Sequence, residues 1–224
     1  RDGSGEHTQT PLTNYNEEKT LMKIGIIGAG NVGGTLGKTW AAEGHEVIYG
    51  VRNPDDPKYN DLIAATQNGR TLSVTETLVW GQILLLAVPV AALPEIFAQA
   101  DLRDKILIDA NNRFNTPADS KGSLAEDIQA MAPDAHVVKA FNTIGANHMT
   151  GRRSDVEPAT MFICGDNAPA KLKVIGLASD AGFEPLDCGP LSNAHLLEAM
   201  ALLWIDLMRR GMGRDIAFKL FHRP

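Results

Sequence analysis

The segment running from Lys23 through Gly28, Gly30 and Gly33 constrains the fold more than any other part of the chain. An apolar run ends at Gly28, two further glycines follow, and a helical pattern then continues to Glu43 and stops at Gly44. A second apolar run occupies His45–Gly50. A glycine-rich turn arising by chance carries none of this context, whereas strand, glycine turn, helix and strand in that order make a βαβ unit. In such a unit Gly28 permits a tight turn and Gly30 lets a phosphate approach the backbone. Gly33 lets the helix pack closely on the strand, and the positive helix end faces the anion. Gly28, Ala29, Gly30, Asn31, Val32 and Gly33 are therefore the expected pyrophosphate loop of a dinucleotide site.

The rest of the chain repeats the alternation. Further apolar runs stand at Ile83–Val88, Lys105–Asp109, His136–Phe141, Thr160–Cys164 and Phe183–Asp187, separated by helical patterns. The Ile83–Val88 run is continuous rather than alternating, as burial on both faces of a parallel sheet requires. The fold class predicted is α/β: a Rossmann doubly wound, mostly parallel sheet with a short C-terminal helical segment. Asn167, with Pro169 behind it, caps one helix that ends at Gly182. Ser192–Asn193 caps the last, which ends at Gly211 with Arg209 and Arg210 in its final turn. That last helix is apolar on more than one face (Leu196, Leu197, Met200, Leu203, Trp204, Leu207, Met208), which implies burial against its own sheet and against a second subunit in a homodimer. Residues 1–21 are polar and aperiodic and are expected to be a flexible N-terminal extension. Residues 22–190 form the Rossmann domain, and 191–224 a helical segment for pocket closure and dimer contact.

Composition excludes several classes. With 21 Lys+Arg against 27 Asp+Glu, a formal net charge of -6, and no basic run, the chain is a poor candidate for nucleic acid or an anionic membrane surface. The longest apolar run, Ile83–Leu93, falls far short of the roughly 20 residues of a membrane span and is broken by Pro89. Cys164 and Cys188 lack CxxC spacing and read as reduced core residues of a cytoplasmic protein. No metal-ligand cluster or nucleophilic triad signature is present, so no metal and no catalytic side chain are assigned.

At the end of the second strand Gly50 and Val51 stand where an NAD site places a carboxylate, and Arg52 follows at once. A guanidinium there can grip a ribose 2′-phosphate with two charge-assisted bonds, so NADP is the cofactor expected, with Lys58 as a weaker second contact. Val88–Pro89 ends its run where such sheets approach the nicotinamide ribose. Asn111 lies at the carboxyl edge of the next strand, where ligands of open α/β sheets bind.

With these residues placed, the chain from 22 to about 220 resembles the NADPH:coenzyme F420 oxidoreductases, which move hydride between NADP and a deazaflavin. It also resembles the soluble reductase domain of the six-transmembrane ferric/cupric reductases. The shared stretches are Gly28–Gly33, Gly50–Pro54, Val138–Ile144, Ile163–Asp166 and Gly189–Asn193 leading to Glu198. The resemblance implies a cofactor contact at Ala140 and a substrate pocket of Asn142, Thr143 and Ile144, closed by Ser192, Asn193 and His195. His148 is a further lone histidine in that region. The implied co-substrate is a small-molecule redox carrier: coenzyme F420, or a flavin. Two departures from the family pattern stand out. Val51 replaces the serine that relatives commonly carry before the arginine. The stretch Val138–Ile144 is closer to the metalloreductase version than to the deazaflavin version, which has His and Pro in place of Asn142 and Gly145. Two other functions fit the same residues: an NADPH-dependent flavin or ferric-chelate reductase, and a non-catalytic NADPH-sensing protein. Imine and pyrroline-5-carboxylate reductases share the Rossmann half but need a longer helical dimerisation domain than the segment after Gly189 provides.

Overall fold

The computed structural model describes residues 20–113, 122–151 and 157–221. Most of the expected extension, residues 1–19, lies outside the described residues. Eight strands form one sheet: β1 Lys23–Ile27, β2 Glu46–Val51, β3 Arg70–Ser73, β4 Ile83–Leu86, β5 Ile106–Asp109, β6 His136–Lys139, β7 Thr160–Gly165 and β8 Glu184–Asp187. Their order is β3-β2-β1-β4-β5-β6-β7-β8. Every neighbouring pair is parallel except β6 and β7, which pair antiparallel through Val138 with Gly165 and Lys139 with Cys164. The expectation of a mostly parallel doubly wound sheet holds, and the single reversal decides where the site can be.

Helices cover both faces. Helices α1 (Asn31–Ala42), the short α2 (Asn60–Ala64) and α6 (Ala168–Asp180) lie on one side. There Leu36, Trp40, Val174 and Leu177 pack on Ile24, Ile26, Tyr49 and Leu85, with Leu62 of α2 at the margin. The opposite side takes α3 (Val74–Trp80), α4 (Leu93–Phe97), α5 (Leu124–Met131) and α7 (Ala194–Leu207), with Leu78, Phe97, Ile128 and Leu197 against Ile27, Leu84 and Leu107. Alternate residues of one strand thus feed two cores. Each fully buried Leu or Ile contributes roughly 1.5–3 kcal/mol.

The local signals act as their chemistry requires. Ser73 and Ser123 each close a capping box with the glutamate three residues on, Glu76 and Glu126. Asn167 accepts from the Ala170 N–H, and Pro169 sits in the first turn of α6. Gly44 and Gly182 end α1 and α6 with positive φ of 93° and 85°. Helix α7 differs from expectation at both ends. Its cap residue Asn193 makes no capping bond and instead donates to the Cys188 carbonyl, at 2.6 Å. Its regular part stops at Leu207, and a wider π-type turn, Met208–Met212, follows, with Gly211 at φ 104°. From there the chain doubles back. The Trp204 indole donates to the Ile216 carbonyl at 2.8 Å, and Thr160, at the start of β7, donates its N–H to the Phe218 carbonyl at 3.0 Å. Residues 213–221 are thereby held as a strap along the edge of the sheet where the cleft opens.

Candidate cofactor and substrate cleft

The glycine turn is built as its sequence implies. Gly28 has φ 105°, and a Cβ there would lie 2.5 Å from the Ala87 carbonyl oxygen. At Gly33 a Cβ would meet the Gly28 oxygen at 2.4 Å, so the helix can approach the strand only without a side chain. Gly30 is different: a Cβ there would meet nothing within 4 Å. The space in front of it lies at the uncapped start of α1, whose first N–H groups are free to meet an anion. A pyrophosphate fits this cradle, and a side chain at position 30 would fill it. Beyond β2, Arg52 is exposed and forms no ion pair among the described residues. Lys58 is already engaged. Its ammonium lies 2.7 Å from Asp56 and over the Tyr59 ring, and the Asp56 pair holds its pKa above the usual lysine value.

From this turn a cleft of about 870 Å³ runs along the carboxyl edge of β4, β5 and β6. One wall is Asn31, Val32 and Thr35 of α1 with Pro89 and Val90; the floor is Ala110, Asn111 and Asn112; the far wall is Phe141, Asn142 and Ile144–Asn147. Ala201, Trp204, Ile205 and Met208 of the last helix and Arg214 of the strap complete it. A volume of this size lies at the upper end for small-molecule pockets and leaves room for two rings side by side.

Two features hold the far wall still. Phe141 is fully buried and sits at φ 61°, a conformation costing a bulky residue about 1–3 kcal/mol. Its ring is clamped edge-on between Trp40 and Phe183, with centroids at 5.7 and 6.1 Å. Asn142 then ties three elements together: its Nδ2 donates to Asn112 Oδ1 at 2.9 Å and to the Leu197 carbonyl at 3.0 Å, while Asn112 Nδ2 donates back to the Asn142 carbonyl. Asn142 Oδ1 is buried with no hydrogen-bond partner among the described residues.

Beneath the cleft lies a buried ionic group. Lys139 is fully buried, and its ammonium donates to Asp109 at 2.8 Å, Glu198 at 2.7 Å and the Asn111 carbonyl at 2.6 Å. Glu198 also accepts the Leu124 N–H at 2.9 Å, and Asp109 accepts the Asn111 N–H at 3.0 Å. Strands β5 and β6, the start of α5 and the middle of α7 thus share one charge cluster. Asn111 Nδ2 extends it to the Leu86 carbonyl at the end of β4. The cysteines take no part. Burial pushes the Cys164 thiol up to about 12 and also raises that of Cys188, which keeps both protonated near neutral pH.

Of the residues expected from sequence, Asn31, Val32, Pro89, Asn111, Asn142 and Ile144 line the cleft. Gly28, Ala29, Gly30 and Gly33 form the turn at its end, and Arg52 stands beyond that turn. Val88 packs beneath Pro89, while Ala140 and Thr143 are buried behind the far wall. Ser192, Asn193 and His195 are not brought to the cleft, and neither is the turn Gly189–Asn193 expected to close it. Because β7 and β8 run against β6, the turn after β8 falls at the opposite edge of the sheet, where Leu191 bonds Asp166 and Gly165 bonds Gly189. His195 is exposed there, with Nδ1 2.6 Å from the Ser192 carbonyl oxygen. Closure comes instead from the far end of α7. His148 is not partnerless either: Asp215 lies 2.7 Å from its Nε2, a pairing across 67 residues that no local spacing signals. Phe141, Trp204, Met208 and Arg214 are among the cleft residues that sequence reasoning missed. The apolar run of α7 marks Trp204 and Met208 as buried but not against what.

Comparison with known proteins agrees with this geometry. Residues 23–113 match the family model described as NADP oxidoreductase coenzyme F420-dependent. The chain is 27% identical over 229 residues to an F420-dependent NADP reductase of Methanothermobacter thermautotrophicus, covering 91% of this chain and 97% of that one. It is 31% identical over 188 residues to Metalloreductase STEAP3 of Rattus norvegicus, covering 82% of this chain but spanning only 37% of that relative's length. The crystal structure of an F420 dependent NADP-reductase from Arthrobacter sp. FB24 superposes with a TM-score of 0.78 at 27% identity, covering 90% of this chain and all of the other.

Proposed function

We propose that the chain is an NADPH-dependent oxidoreductase of the kind the coenzyme F420-dependent NADP oxidoreductase model describes, exchanging hydride with a second ring-shaped carrier, deazaflavin coenzyme F420 in the first instance. The observation that carries the reading is the cleft joining the glycine turn to a far wall of Phe141, Asn142, Ile144, Trp204 and Met208. The dihydronicotinamide supplies the hydride, so that NADPH, a proton and the oxidised carrier give NADP⁺ and the reduced carrier. The protein's own residues orient the rings and exclude water. Gly30 and the start of α1 anchor the pyrophosphate, and Arg52 takes the 2′-phosphate. Pro89, Ile144, Trp204 and Met208 press donor and acceptor toward the ~3–3.5 Å separation hydride transfer needs.

A flavin is the second acceptor to test, because Asn142 and Gly145 follow the metalloreductase version of the loop. At Gly145 a Cβ would lie 2.7 Å from the Trp204 ring, so the indole packs there only against glycine. Helix α7 presents Leu196 and Leu203 to solvent, 52% and 49% exposed and two turns apart, and pairs this face with a second copy. The deciding experiment follows NADPH oxidation separately with F420, FMN, FAD and a ferric chelate. Turnover with F420 alone supports the deazaflavin reading, and turnover with a flavin or ferric iron moves it to that branch. Tight NADPH binding without turnover of any acceptor would replace both with a sensor.

A further inference from the structure

Arg214 is the one charged residue among the described residues that line the cleft, and it forms no ion pair among them. It comes from the strap rather than from the sheet. Gly211 and Gly213, at φ 104° and 74°, turn the chain out of α7 and back toward the opening. The strap is then fixed at the arginine and just after it. Asn147 Nδ2 lies 3.4 Å from the Arg214 carbonyl and 3.3 Å from Asp215 Oδ1. His148 meets the same Asp215 oxygen at 2.7 Å, and the Trp204 indole holds Ile216. The neighbouring carboxylate is thereby drawn toward Asn147 and His148, leaving the guanidinium as the unpaired charge at the opening.

The phosphates of NADPH have fittings elsewhere, at the start of α1 and at Arg52. The strap bonds to Thr160 of β7, and β7 stands five strand positions from β2, which Arg52 follows. At about 4.8 Å per strand that puts the strap's anchor roughly 24 Å from the strand that Arg52 follows, at the other end of the cleft. From this geometry we infer that Arg214 binds an anionic group on the second carrier. The acceptor is thus a tricyclic ring compound with a phosphate in its side chain, terminal as in FMN or internal as in F420, and Arg214 discriminates it from the same ring without phosphate. This rests on the reading of the cleft as a two-ring site.

The test titrates the NADP⁺-loaded protein, by ligand fluorescence, with two matched pairs: FMN against riboflavin, and F420 against its phosphate-free deazaflavin core. Wild-type protein should bind the phosphorylated member of at least one pair about 10- to 100-fold more tightly, the range of a charge-assisted bond, and added salt should narrow the gap. Arg214→Gln should remove most of that preference while leaving the unphosphorylated ring and NADPH unchanged, and Arg214→Lys should restore part of it. Equal weakening of both members would make Arg214 structural, and weakened NADPH would assign it to the cofactor. Unchanged affinities would leave it a solvated charge, and each of these three results overturns the inference alone. Binding of no ring compound by the wild-type protein overturns the two-ring reading with it.

Discussion

On the proposed reading Gly30 and Arg52 set separate properties of one site. Gly30 has an extended backbone that any residue could adopt, and a methyl group placed on it would find nothing within 4 Å, so the protein itself does not require a glycine there; the proposed pyrophosphate does. Arg52 stands beyond Val51, with no carboxylate in the place where an NAD site would carry one. Arg52→Ala should therefore weaken NADPH by about 1.5–3 kcal/mol, the scale of a hydrogen bond to a charged group, and leave NADH nearly unchanged. Paired titrations of the two cofactors check this, and equal losses would remove the 2′-phosphate assignment. Val51 contributes no hydroxyl, and Lys58 is held by Asp56, so on the proposed reading this selectivity rests largely on Arg52.

At the scale of elements, the cluster of Lys139, Asp109 and Glu198 is what locks α7 to the sheet. Lys139→Met leaves two buried carboxylates without their cation and should cost about 3–5 kcal/mol in urea unfolding. A loss below about 1 kcal/mol, the worth of an exposed pair, would show the cluster to be solvated in solution. None of this is legible locally, because its members lie 30 and 59 residues apart and each looks in sequence like an ordinary surface charge. The glycine turn, the continuous apolar strands and the caps at Asn167, Gly44 and Gly182 are legible, since their physics lies within a few consecutive residues. Strand β3 is not: Arg-Thr-Leu-Ser is a short, half-exposed edge strand whose single leucine gives no apolar run. The sequence misplaces Ser192, Asn193 and His195 for another reason. Nothing in a strand's own composition tells which way it runs against its neighbour, and the reversal of β7 carries the following turn to the far edge.

For the whole molecule, the α7 face proposed to pair between copies yields a direct test. Leu203→Glu should shift the protein from dimer to monomer in sedimentation without loss of fold by circular dichroism. A monomeric wild-type protein would assign Leu196 and Leu203 to ordinary exposure. The reversal of β7 and β8 has a wider consequence. The nucleotide side of the cleft is made of strand ends and the turns directly joined to them, whose lengths are fixed by the sheet's hydrogen bonds. The side proposed for the acceptor is made of a helix tip, a loop and a returning tail, none of which is part of a strand ladder. On the proposed reading, the acceptor end of this plan is free to vary while the end that holds the reductant stays fixed by the sheet.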